Sequence, residues 1–151
     1  MIELLDGWPV GLVAGYSAID GEADLEPALT ALRRSGRPTA YPVAHKDHRM
    51  TFHLWDGAAP RPIGRHGITE PAGPMVPREE VTAVIVPMVG FTVHGDRLGY
   101  GAGYYDRYLA PLPRPLLIGV AFDLQELAEA QRRDHDIGMD IVVTETRRIT
   151  P

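Results

Sequence analysis

Hydrophobic positions along the chain fall into short runs, separated by polar segments or by stretches rich in glycine and proline. Val10 to Tyr16 is continuously apolar between Pro9 and Ser17, a length and bounding that predict a buried strand. Leu25, Ala28, Leu29 and Leu32 then recur at helical spacing. Asp24 stands as N-cap or first-turn acid, and Arg33, Arg34 and Gly36 form a basic end with a stop, so a helix is expected. Arg37 to Val43, with proline near its ends, reads as a second strand, and Arg49 to Trp55 alternates like a half-exposed third. From Asp56 to Pro77 proline and glycine are too dense for a regular element, which predicts a long ordered loop or flap. Loops of this length are often functional, which draws attention to Gly64 to Pro71.

Val81 to Val86 is almost wholly apolar and β-branched ahead of Pro87, and Pro115 to Phe122 repeats the type. Between them, Gly99 to Leu112 reads as a glycine-rich turn opening a helix, and Leu124 to Arg133 as another helix. Strands alternating with helices predict one α/β domain over residues 1–151, built on a largely parallel sheet.

Composition adds exclusions. With 151 residues, 44% of them hydrophobic, the chain is large enough for a real core, and it has no cysteine for a disulfide, a thiol nucleophile or a cysteine-ligated zinc. The net charge of -5, with bases scattered along the chain, gives no nucleic-acid footprint. That all bases but Lys46 are arginine reads as lineage bias rather than chemistry. No apolar run approaches the roughly 18 residues of a membrane helix, and Glu3 and Asp6 stand where a signal peptide needs a basic start. The expected location is cytoplasmic, without membrane or nucleic-acid partners.

Chemistry concentrates between Val86 and Leu109. Gly99, Gly101 and Gly103 at alternate positions let the backbone approach a ligand, and their amides at a helix start suit a phosphate. The spacing is neither that of the lysine-bearing phosphate loop nor that of the dinucleotide fingerprint, and a tight turn without a ligand would use the same glycines. Arg97, two residues earlier, favours the phosphate, because its guanidinium can pair with phosphate oxygens from the other side. Asp106 either complements the helix dipole or, beside a phosphate, holds Mg2+. Tyr104 and Tyr105 are either both core aromatics or one inward and one toward the ligand. Asp140, opening a last short strand within His135 to Glu145, is either a turn acid or a second Mg2+ ligand. His45, His48 and His53 with Asp47 have spacings that could serve zinc, but they alternate faces around a strand entrance, which favours hydrogen-bonded histidines. His66 and His94 have no evident partner.

The run Gly95 to Arg107, preceded by Val86 to Phe91 and followed by Met139 to Glu145, resembles the 5-formyltetrahydrofolate cyclo-ligase family, also called 5,10-methenyltetrahydrofolate synthetases. The likeness extends through Gly67 to Pro71 and Tyr16 to Glu22, nearly the whole chain. The resemblance implies a three-layer Rossmann-like fold and an ATP- and Mg2+-dependent closure of 5-formyltetrahydrofolate to 5,10-methenyltetrahydrofolate, with ADP and phosphate released. It also implies an ATP site formed by Arg97, Leu98, Gly99, Tyr100, Gly101, Ala102, Gly103, Tyr104 and Tyr105, with Arg97 and Tyr104 nearest the chemistry. Asp106 and Asp140 would be the Mg2+ ligands. Glu22, Met50, Glu70 and the stretch Tyr100 to Tyr104 would meet the reduced folate.

Two departures accompany the likeness. Relatives have a longer start that includes a helix whose Lys and Arg contact ATP phosphates. Here the nine residues before the first strand hold neither, so a catalytically impaired folate- or nucleotide-binding domain is the alternative expectation. Ala102 replaces a glycine or lysine found in some relatives, which is tolerable if its φ is negative.

Overall fold

The structure is a computed structural model that describes residues 11–19, 21–57, 63, 67–111, 113–131 and 136–151. Val10, Gly64 to His66, Leu112, Arg132, Arg133 and His135, named above, lie outside the described residues. Seven strands form one sheet in the order β3-β2-β1-β4-β7-β8-β9: β1 (Leu12–Ala14), β2 (Thr39–Ala44), β3 (Met50–Trp55), β4 (Val81–Pro87), β7 (Leu116–Val120), β8 (Ile141–Val143) and β9 (Arg148–Ile149). The five inner strands run parallel, while β3 and β9 close the two edges antiparallel. A separate hairpin of β5 (Gly90–Phe91) and β6 (Arg97–Leu98) follows β4. Among the described residues two α-helices, α1 (Glu26–Arg34) and α2 (Tyr104–Leu109), flank the sheet.

Strand alternation divides the core in two and makes three layers. Val13, Tyr41, Ala83, Ile85, Ile118 and Val120 point to the face covered by Leu25, Leu29 and Leu32, the apolar stripe of α1. Their neighbours Ala14, Ala40, Phe52, Val84, Val86 and Leu117 point to the opposite face, where Leu109 and the tyrosines of α2 pack. Pro27 sits in the first turn of α1, where no helical N–H is lost, and Asp24 accepts the Glu26 amide. Beneath the helix, Glu26 takes the Tyr41 hydroxyl and the Arg33 guanidinium, both at 2.5 Å, which fastens α1 to β2. Pro42 lies beyond the part of β2 that pairs with β1, so its missing N–H costs no ladder bond there.

The expected helix at Leu124 to Arg133 is not formed among its described residues. After a single turn at Asp123–Gln125 the chain bridges the hairpin at Glu126 opposite Phe91 and continues without helix. Tertiary bonds override the local helical preference: the Leu127 amide donates to the Phe91 carbonyl, and the Gln125 amide group donates to the carbonyls of Met88 and Val89. The second helix is also shorter than expected, ending at Leu109 ahead of Pro111.

The Pro- and Gly-rich segment is an ordered flap where it is described. Leu54 and Val76 amides donate to Pro74 and Phe52 carbonyls, His53 bridges Met75, and Ser17 reaches the Thr69 carbonyl. Gly73 lies so close to β3 that a Cβ there would overlap the Leu54 carbonyl oxygen. Gly73→Ala should therefore lower stability by about 1 to 3 kcal/mol, the usual scale of overpacking. Urea denaturation gives the value, and a midpoint equal to that of the parent would show that the flap is not fixed to β3.

Candidate functional site

In an open parallel sheet, ligands bind outside the carboxyl ends of the strands where the strand order reverses. Here the chain leaves β1 toward β2 on one side and returns as β4 on the other, so the reversal lies between β1 and β4. The carboxyl end of β1 leads to Tyr16 and Glu22, and that of β4 leads through the hairpin to Arg97 and the glycine turn.

Glu22 closes its own turn, since its carboxylate accepts the Ile19 amide at 3.0 Å while its amide donates back to the Ile19 carbonyl. Tyr16 donates to the Ala23 carbonyl at 3.0 Å. Burial pushes the Tyr16 phenol far up, and the nearby charges of Glu22 and Asp24, with Tyr100, push the same way. Tyr105 is shifted upward even more strongly, first by burial and then by Glu22, against a partial opposing effect of Arg97. Its hydroxyl is buried without a hydrogen-bond partner. An orphaned buried phenol is costly in a finished core and understandable beside a ligand site.

Arg97 is almost enclosed, with its side chain 9% exposed, and its Nη2 lies 2.9 Å from both oxygens of Asp106. Its guanidinium carbon stands 5.9 Å from the Tyr105 ring centre. Nη1 lies under Gly99, where a Cβ would come within 2.8 Å of it, so glycine is what leaves this nitrogen room beside the turn. Gly101 and Gly103 have φ of 88° and 69°, values that favour glycine, whereas Ala102 has no positive φ. With only six residues, α2 adds little dipole of its own, so anion binding rests on Arg97 and the turn amides. Leu98 pairs with Gly90 and is exposed on the hairpin.

Tyr104 faces the other way, its ring 5.8 Å from that of His48 in the β2–β3 turn. His48 is the one non-glycine residue with positive φ among those described, at 60°. Met50 opposes Ala44 across β2 and β3 and is buried in the core, and Glu70 accepts the Ala44 amide at 3.1 Å. Met50 and Glu70 thus both adjoin Ala44 at the end of β2, beside the His48 turn.

Asp140 stands at the amino end of β8. Its oxygens take Arg114 Nη1 and Nη2 at 3.0 and 2.9 Å and the Leu117 amide at 2.8 Å. The Ile137 amide donates to Asp106 at 3.4 Å, and Ile137 precedes Asp140 by three residues, a reach of about 10 Å at most. Asp106, beside the glycine turn, fits Mg2+ by donor type, whereas Asp140 does not join it as expected: it lies at the amino end of the parallel strands, away from the crevice, with both oxygens taken by Arg114 and the Leu117 amide. Each is neutralised by its own arginine, and the described residues contain no cluster of three or more metal-ligating side chains. The histidines form a hydrogen-bonded chain rather than a zinc site. His53 donates from Nδ1 to the Gly73 carbonyl, so its Nε2 accepts the Thr51 hydroxyl, which in turn accepts from His45.

Sequence reading placed Arg97, the glycine turn and Glu22 at the site but missed Tyr16 as their neighbour and Arg114 as the partner of Asp140. The position of Tyr16 just past an apolar strand was the available signal for the first. For Arg114 nothing in the local pattern gave one.

An α/β domain with a glycine turn and an enclosed arginine at its switch point defines a Rossmann-like class of enzymes. Within that class, the chain belongs to the 5-formyltetrahydrofolate cyclo-ligase family, whose model matches residues 10–145. The cyclo-ligase of Mycolicibacterium smegmatis is 32% identical, with 97% of this chain and 83% of that protein covered. The Escherichia coli K12 enzyme is 30% identical over 89% of this chain and 78% of its own length. Among solved structures, Aquifex aeolicus 5,10-methenyltetrahydrofolate synthetase superposes with a TM-score of 0.82 at 32% identity, covering 99% of this chain and 78% of that one.

The two phenols separate structure from site. Tyr16→Phe should cost about 1 kcal/mol, the worth of one hydrogen bond, whereas Tyr105→Phe should cost nothing, because its hydroxyl has no partner to lose. Equal losses in urea denaturation would refute the distinction. Both phenols have folded pKa values above their unfolded values. The stability from keeping them neutral is therefore complete below about pH 10 and is lost as pH rises toward the folded values. Denaturation midpoints measured from pH 8 to 12 should fall only in the upper part of that range.

Proposed function

We propose that the chain is an ATP- and Mg2+-dependent cyclo-ligase that converts 5-formyltetrahydrofolate to 5,10-methenyltetrahydrofolate, releasing ADP and phosphate. The observation that carries this reading is the meeting of Arg97, the glycine turn, Glu22 and the unpartnered Tyr105 hydroxyl at one switch point, in a chain of this family.

A formamide oxygen is a poor nucleophile and its carbon a poor electrophile. Transfer of the γ-phosphoryl group of ATP to that oxygen gives the carbon a leaving group. The neighbouring amine then attacks, a five-membered ring closes and phosphate departs with the former formyl oxygen, the amine proton passing to water. No protein nucleophile is needed. The protein has to hold the formyl oxygen in line with the phosphoryl group and offset the charge on its oxygens.

Arg97 supplies positive charge from beneath the turn, and the amides of residues 98 to 103 supply donors above it. Tyr104 and Tyr105 flank the reacting groups, the former from the His48 side and the latter from the Glu22 side. Glu22, Met50, Glu70 and the stretch Tyr100 to Tyr104 form the folate side. Asp106, beside the glycine turn, would hold Mg2+, which when bound neutralises phosphate oxygens. Reactants of this kind fit a cytoplasmic enzyme, and no helix among the described residues is long and apolar enough to cross a membrane.

The test is direct. Purified chain, 5-formyltetrahydrofolate and Mg-ATP should yield the absorbance of methenyltetrahydrofolate with one ADP per product. Failure to bind either reactant would overturn the proposal, and binding without turnover would make the chain a folate- and nucleotide-binding domain instead. Arg97→Ala should weaken ATP binding by about 1.5 to 3 kcal/mol, the scale of a charged hydrogen bond, and leave folate affinity unchanged. Isothermal titration with each reactant checks both halves.

A further inference from the structure

We propose that the Arg97–Asp106 ion pair is a latch that lets the metal in only after the nucleotide has arrived. The inference rests on the reading of Asp106 as a Mg2+ ligand and adds how that ligand is controlled.

Three features of the pair carry it. First, Arg97 spends a single nitrogen on Asp106: Nη2 is shared between both carboxylate oxygens at 2.9 Å, in place of the fork with two parallel bonds that a carboxylate and a guanidinium form at their strongest. Second, Nη1 and Nε donate to no atom among the described residues, and Gly99 keeps Nη1 open to the turn in which the phosphates are proposed to sit. Third, the pair is enclosed, with side chains 9% and 17% exposed, so water cannot easily substitute for either partner.

Without nucleotide, Asp106 is neutralised by Arg97, so the pair offers a divalent cation no net negative charge. A polyphosphate in the turn presents several oxygens to the guanidinium and draws it off Asp106. The freed carboxylate retains the Ile137 amide and gains an ionic vacancy that Mg2+ fills. Metal and nucleotide then favour each other, because each removes the competitor of the other, and linkage makes the coupling reciprocal.

Removing the arginine should therefore improve metal binding to the free protein. Mn2+, read by its electron paramagnetic resonance signal, stands in for Mg2+ in nucleotide-free protein. Arg97→Gln should bind it about tenfold more tightly than the parent, within the usual range of coupling between sites. Arg97→Gln combined with Asp106→Asn should return to the parent value. If Arg97→Gln leaves Mn2+ affinity unchanged while Asp106→Asn still strips Mn2+ from the complex with a non-hydrolysable ATP analogue, the latch is wrong and the metal site stands. If Asp106→Asn keeps Mn2+ in that complex, the metal site itself is wrong, and the latch with it.

A second measurement avoids the arginine variant. With chelator present, Asp106→Asn should bind the ATP analogue more tightly than the parent, because Arg97 is no longer held back. Weaker binding would mean that Asp106 aims Arg97 at the phosphates and would overturn the latch.

Discussion

Parallel pairing of β1 with β4 is the constraint on which the rest of the molecule depends. It joins residues about 70 positions apart, with Val13 opposite Ala83 and Ala14 opposite Val84, and it fixes the point where strand order reverses. Because the two strands end side by side, Tyr16 and Glu22 are delivered to the same place as the hairpin that carries Arg97. The same pairing sets which side chains face α1 and which face α2. Shifting either strand by one residue would turn its own core residues to the wrong layer.

Around that point, polar groups are arranged with their charges already spoken for. Glu22 is absorbed by its own turn, Asp106 by Arg97 and Glu70 by the Ala44 amide. The hydroxyls of Tyr105 and, further along the same helix, Tyr108 are buried without a partner among the described residues. A site of this kind is preorganised for stability before it is preorganised for a ligand, and ligand binding has to exchange existing bonds for new ones.

Strands and the first helix were legible because their apolar positions keep one period over five or more residues, as in Val81 to Val86 and Leu25 to Leu32. The hairpin was not, since two residues per strand leave no period to detect. Leu124 to Arg133 misled for the opposite reason: its spacing is helical, but Gln125 and Leu127 are bound to the hairpin, a long-range demand that no local pattern records. The Arg97-to-Asp106 run was legible because glycine spacing and charge sit within ten residues. The arginine that answers Asp140 lies 26 residues away, on the other side of β7 in sequence, and only the fold brings it there.

The flap that fastens onto β3 has a consequence for how the protein behaves in a crowded solution. A terminal strand in a sheet exposes a row of unpaired backbone groups that can recruit a second chain and seed aggregation. Here that row is partly occupied, since Leu54 and Phe52 are bonded to Pro74 and Val76. Pro71, Pro74 and Pro77 also deprive the covering segment of donors, making it a poor template for another strand. The opposite edge ends in a strand of two residues, flanked by Arg147 and begun by Arg148. Both borders of the sheet are thus poor templates for edge-to-edge strand pairing, one because of a proline-rich cover and the other because of brevity and charge.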